Sequence, residues 1–171
     1  MLSALKVSPL NFVAAWRWWV VVTICIVADQ VTKITAENNL NENVPFVITG
    51  FFNFTLRYNT GAAFSFLANQ PGWQVWFFGI LASCVSVGLT FWVARINEEK
   101  KWLECWAFSL ILSGAVGNLI DRLSYGHVID FIEVHYKDVY YFPAFNIADS
   151  CICIGAGLLI LDMLVNKKEP S

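Results

Sequence analysis

"WQVWFFGILASCVSVGLTFWVA", Trp73 to Ala94, runs without one charged side chain. A helix needs about 20 mostly apolar residues to cross the hydrocarbon of a bilayer, because every backbone polar group there must be satisfied within the segment. The stretch therefore reads as a transmembrane helix. The rest of the chain agrees with it. Of 171 residues, 57% are hydrophobic and only 14% charged, where soluble domains carry roughly 25% charged residues. A net charge of -2 with no basic run gives no footprint for nucleic acid.

Working outward, three more stretches are long and apolar enough to span. Ala14 to Ala36 has an apolar middle followed by Asp29 and Lys33. Trp102 to Asp121 ends in "GNLIDR", and Phe145 to Leu161 holds Asp149 as its one charged residue. The expected fold is an all-α membrane protein of four transmembrane helices, with spans of about 14–36, 73–94, 102–122 and 145–165. Residues 1–171 form a single integral membrane domain in this reading.

The lysines and arginines orient it. With both termini and the 95–101 link in the cytoplasm, that side holds Lys6, Arg17, Arg95, Lys100, Lys101, Lys167 and Lys168, seven of the eleven, as the positive-inside rule asks. Trp16, Trp18, Trp19, Trp73, Trp76 and Trp102 fall near the expected helix ends, where aromatic belts form. A cleaved secretory signal is the competing reading of the N-terminus. It is disfavoured because no small-x-small cleavage site follows the run and apolar character resumes in "VTKITA". Cys25, Cys84, Cys105, Cys151 and Cys153 all lie within spans, so free buried thiols are expected in place of a disulfide framework.

Two exported segments remain, 37–72 and 123–144. In "FNFTLRY", Phe52, Phe54, Leu56 and Tyr58 alternate with Asn53, Thr55 and Arg57, the period of a half-buried strand. A small extracytoplasmic β-hairpin is expected there, and a second short one around Lys137-Asp138.

Depth then brings the polar residues together. At about 1.5 Å per residue, Asp149 to Leu161 covers about 18 Å, which puts Asp149 near the outer edge of the hydrocarbon. Asn118, Asp121 and Arg122 end the third span on one face. Asp29 and Lys33, an i, i+4 pair, arrive at the same level on the first. Each has a plain structural explanation. Asn146 can cap a helix with Asp149 in its first turn, Asp29 and Lys33 can be a mere ion pair, and Gly114 and Gly117 can permit close packing. These explanations leave open why so many fall in one layer. Ionisable groups inside spans are costly and mark a cavity or a partner.

The blocks "DQVTK" (29–33), "NTGAAFSF" (59–66), "GNLIDR" (117–122), "HVIDF" (127–131) and "FNIAD" (145–149), in this order on a four-span chain, resemble the lipoprotein signal peptidases, the type II signal peptidases of bacteria. The resemblance implies an aspartic endopeptidase with Asp130 and Asp149 as the catalytic pair. Asn118, Arg122 and Asn146 would belong to the same site, with Asp29, Lys33, Asn59 and Gly61 as supporting or substrate-binding positions. It implies no metal and no cofactor. The substrate would be a diacylglyceryl-modified prolipoprotein cut on the amino side of its lipidated cysteine, at the outer face of the bacterial inner membrane, by an enzyme that meets membrane lipid and works as a monomer. Gly61, Ala62 and Ala63 would either let substrate approach closely or serve as a plain packing point of the loop, and Phe64 and Phe66 would anchor in the interface.

Two other classes compete. A small proton-coupled transporter would also place acids in spans, but it would need a polar path to the cytoplasmic face. A metallopeptidase would use His127, Asp130 and His135, although "HVID" and "EVHY" match no compact zinc spacing.

Overall fold

The computed structural model describes residues 10–61, 72–95, 101–137 and 139–166. Four helices in it are long and apolar enough to cross a membrane: α1 (Trp16–Asn39), α2 (Trp73–Val93), α3 (Trp102–Tyr125) and α4 (Ile147–Val165). Four strands complete the fold: β1 (Phe46–Thr49), β2 (Phe52–Asn59), β3 (Val128–Tyr136) and β4 (Tyr140–Tyr141). Lys6, Lys100, Asp138, Lys167 and Lys168, and the expected contacts of Ala62, Ala63, Phe64 and Phe66, lie outside the described residues.

The helix at the centre is α3, which packs against α1, α2 and α4. Small residues let α4 come close: a Cβ on Gly114 would collide with the Ala148 carbonyl oxygen and meet Ile152. At the end of the bundle away from the sheet, Ala15, Trp18, Val93 and Cys105 form a small core, which fixes α1, α2 and α3 as alternating up and down. Trp16, Trp73, Trp76 and Trp102 are exposed at helix ends. Trp18 is not a belt residue but a core one, set edge-on against Trp106. The expectation for the cysteines also needs correction. None of the five is in a disulfide, yet only Cys105 and Cys151 are buried, while Cys84 and Cys153 face outward from the bundle.

The helices α1 and α3 run about a turn beyond the expected spans, to Asn39 and Tyr125. Beyond them the two expected hairpins turn out to be one antiparallel sheet in the order β1-β2-β3-β4. Pairing of β2 with β3 joins them. An isolated two-stranded hairpin is marginal and exposes two edges, so merging satisfies backbone groups that each would leave open.

The burial of β2 departs from simple alternation. Asn53 and Thr55 are buried and Phe52 and Phe54 only half-buried. A bulge between Phe54 and Arg57 shifts the register against β3, and Leu56 is taken by a bridge to Glu42. Past the bulge, Arg57 opposes Asp130 and Asn59 opposes Val128.

Candidate active site

Asp130 sits on β3, just past the tight start set by Gly126, and Asp149 in the first turn of α4. They are 1% and 4% exposed. The chain folds to this point because Asn146 has two jobs. Its Oδ1 accepts from the Asp149 backbone N–H at 2.8 Å, capping α4, as a preferred N-cap residue does. Its Nδ2 donates to Asp130 Oδ1 at 2.8 Å, so one side chain starts the helix and ties it to the strand. Asn118 on α3 completes the link, donating to Asp149 Oδ1 at 2.8 Å while its Oδ1 receives Asn146 Nδ2 at 3.1 Å. On the other flank, Asn59 Nδ2 donates to Asp130 Oδ2 at 3.0 Å. Three amides thus hold two carboxylates.

Behind them lies a charged knot. Lys33 Nζ is 2.8 Å from both Asp29 Oδ2 and Asp121 Oδ2 and donates to Asn118 Oδ1 at 3.0 Å. Asp29 Oδ1 accepts from Ala148 N, and Asp121 Oδ2 from Ile129 N. The knot therefore fixes α1, α3, the start of α4 and the start of β3 together. Gly117 makes room for it, since a Cβ there would stand 2.6 Å from Asp29 Oδ2.

Arg122 closes the side of the site. It donates to the Gly61 carbonyl at 2.7 Å and to the Asn118 carbonyl at 3.2 Å, with its guanidinium over the Phe78 ring. The Gly61 N–H in turn donates to Asn59 Oδ1. All nine residues singled out from the sequence, Asp29, Lys33, Asn59, Gly61, Asn118, Arg122, Asp130, Asn146 and Asp149, meet in this one network.

Burial, and next the negative charge of Asp149, push the Asp130 carboxyl up to about 8 against the opposing bonds from Asn59 and Asn146 and the charge of Lys33. A carboxyl so shifted keeps its proton at neutral pH. Two buried carboxyls whose charges act on one another titrate as a coupled pair. Such a pair can deprotonate a water with one member and donate a hydrogen bond with the other.

Gln30 belongs to the knot too, although nothing in the sequence singled it out: its Nε2 donates to Asp121 Oδ1, Asp29 Oδ2 and the Gly117 carbonyl. An amide beside an aspartate in an otherwise apolar span was the available signal. Asp121 was expected in the polar layer but not as the second counterion of Lys33. The alternative metal site is not assembled. His127 and His135 are eight residues apart on an extended strand, about 26 Å. His127 lies tilted against Tyr58 and stacks on Tyr125, and His135 stacks on Tyr141.

Four apolar spans gathered under a sheet, with a strand aspartate and a helix aspartate held by asparagines that are bonded to one another, are the architecture of a membrane-embedded peptidase of the aspartic type. Comparison with known proteins makes this particular. A family model described as Signal peptidase (SPase) II matches residues 21–165. A lipoprotein signal peptidase from Teredinibacter turnerae is 52% identical over 93% of this chain and 94% of its own. One from Pseudomonas aeruginosa is 48% identical over 90% of each. A solved structure described as a bacterial membrane enzyme superposes with a TM-score of 0.77 at 33% identity, covering 94% of this chain and 96% of that one. The chain belongs to the signal peptidase II family and is a multi-pass membrane peptidase; the transporter and metallopeptidase readings fall away.

Proposed function

We propose that this enzyme removes the signal peptide from diacylglyceryl-modified prolipoproteins, cutting on the amino side of the lipidated cysteine, with Asp130 and Asp149 as its catalytic pair. The ionised member takes a proton from a water, which attacks the scissile carbonyl. The protonated member hydrogen-bonds the carbonyl oxygen, and as the tetrahedral intermediate collapses a proton passes to the leaving amide nitrogen. The two carboxyls supply both acid and base, so the reaction draws on no cofactor. Asn118 and Asn146 hold the pair, Asn59 steadies Asp130, and Arg122 keeps the Gly61 carbonyl and the Asn59 turn beside it.

The observation that carries this is that one side chain, Asn146, caps the helix bearing Asp149 through its Oδ1 and donates to the Asp130 carboxylate through its Nδ2. The distribution of lysine and arginine supports cytoplasmic termini and a site near the outer face of the inner membrane. A site there leaves the acyl chains of the substrate in lipid while its signal helix lies along the spans. We read residues 1–171 as one domain that works as a single chain.

The test is cleavage of a lipidated precursor by the full-length protein in detergent. Asp130→Asn and Asp149→Asn each abolish it while the protein stays folded, and wild-type cleavage is indifferent to chelator. Retained cleavage in either variant, or loss on chelation, overturns the reading.

A further inference from the structure

Arg57 and Asp130 face one another in the β2–β3 register. Cross-strand partners bring their Cβ atoms to within about 5.5 Å, and an arginine so close to a carboxylate ordinarily forks onto it. This one does not. Its NH2 group donates to Glu133 Oε2 at 3.1 Å and its NH1 group to Asn43 Oδ1 at 2.7 Å. Glu133 is 2% exposed and is pinned by Thr55 Oγ1 at 3.0 Å, whereas the Arg57 side chain is 45% exposed. A fixed buried acid therefore holds a solvent-exposed cation. None of these groups is used in the chemistry above.

We propose that Glu133, helped by Asn43, is a positioning residue that captures the Arg57 guanidinium and keeps a permanent positive charge off Asp130. The inference rests on Asp130 belonging to the catalytic pair. The groups facing Asp130 are Asp149 from α4, Lys33 from α1, Arg122 from α3, its register partner Arg57 and the Asn59 amide from β2, and the Asn146 amide; Glu133, three residues along its own strand, pairs with Asn53. Lys33 is held between two aspartates and Arg122 bonds two carbonyls. Arg57 is the cation in direct register, and one buried carboxylate binds its charge. An arginine cannot shed its proton to escape. A cation within about 4–6 Å lowers a carboxyl by about 1–3 pH units. Asp130, held up near 8 by burial and Asp149, would then ionise at neutral pH and cease to donate its hydrogen bond.

The experiment is the pH dependence of lipidated-precursor cleavage by the full-length protein in detergent, for wild type, Glu133→Gln, Arg57→Gln, the Glu133→Gln/Arg57→Gln double variant and Asn43→Gly. Glutamine keeps an acceptor for Thr55, and glycine suits the positive φ of Asn43. In Glu133→Gln the alkaline limb moves down by about one pH unit, and in Asn43→Gly it moves less in the same direction. Arg57→Gln keeps the wild-type limb, and the double variant returns to it. An unmoved limb in both Glu133→Gln and Asn43→Gly overturns the proposal. So does a shift that persists in the double variant, since that reports the charge or packing of Glu133 itself. If Glu133→Gln does not fold, the exposed Asn43→Gly decides alone. Asp130→Asn, run alongside, keeps the two readings apart: cleavage surviving there sinks the catalytic assignment, whereas an unmoved limb beside a dead Asp130→Asn sinks only the role of Glu133.

Discussion

Two pairs of buried aspartates lie side by side in this molecule and are treated in opposite ways. Asp29 and Asp121 share an ammonium, Lys33, at 2.8 Å each. Asp130 and Asp149 are joined through amides, Asn146 on the first and Asn118 on the second, which bond each other. An ammonium in direct contact offsets the charge of both acids, whereas an amide satisfies hydrogen bonds without forming an ion pair. The first pair becomes a strut. The second keeps a proton on Asp130, which is what the proposed water-activating pair requires. The two are coupled through Asn118, whose oxygen takes the lysine and whose nitrogen faces Asp149, so the strut also fixes the direction of an amide in the reactive pair.

The largest expected effect tests that division directly. Asp130→Asn or Asp149→Asn lowers cleavage by about a thousandfold or more, within the range assigned to acid–base groups acting together, while the thermal midpoint in detergent holds or rises. In Lys33→Met the order is reversed. Two buried carboxylates lose their counterion, and stability falls by about 3–5 kcal/mol, read by unfolding in detergent, with activity falling as a consequence. A Lys33→Met variant as stable as wild type would erase the distinction between the pairs.

The pH dependence sharpens it further. Because Asp130 holds its proton to about 8 in the folded protein against its usual 3.8, the folded state binds more protons than the unfolded one across that interval. The contribution of this group to stability therefore falls as pH rises from about 4 to about 8. Asp130→Asn flattens that slope, and in the active enzyme cleavage declines as pH passes about 8. Gly117→Ala has a smaller effect: its methyl group would press on Asp29 Oδ2, at a cost of about 1–3 kcal/mol by overpacking. The smallest is Lys101→Ala. It breaks an exposed pair with Glu104 far from both clusters, and the midpoint moves by no more than about 1 kcal/mol.

The spans were legible in the sequence because hydrocarbon imposes length and composition on every segment that crosses it. Asp29, Lys33, Asn118, Arg122, Asn146 and Asp149 were legible for a related reason, since polar side chains at one depth of an apolar helix have few places to go. Asp130 was placed near them only by standing eight residues beyond Arg122, and Asn59 and Gly61 were not legible in this way. They lie on or beyond strands, where depth gives no rule, and only the resemblance of their motifs picked them out. Glu133 and the joining of the two hairpins stayed hidden for another reason. Both depend on pairing between residues more than seventy positions apart, and a bulge inside "FNFTLRY" broke the alternation from which the buried face was read.

Since the Asn146 amide both begins α4 and grips Asp130, winding that first turn and, on the proposed mechanism, arming the enzyme are one event. A small molecule that frayed a few residues at the mouth of the helix would silence hydrolysis without occupying the cleft, and would leave the remainder of the bundle intact.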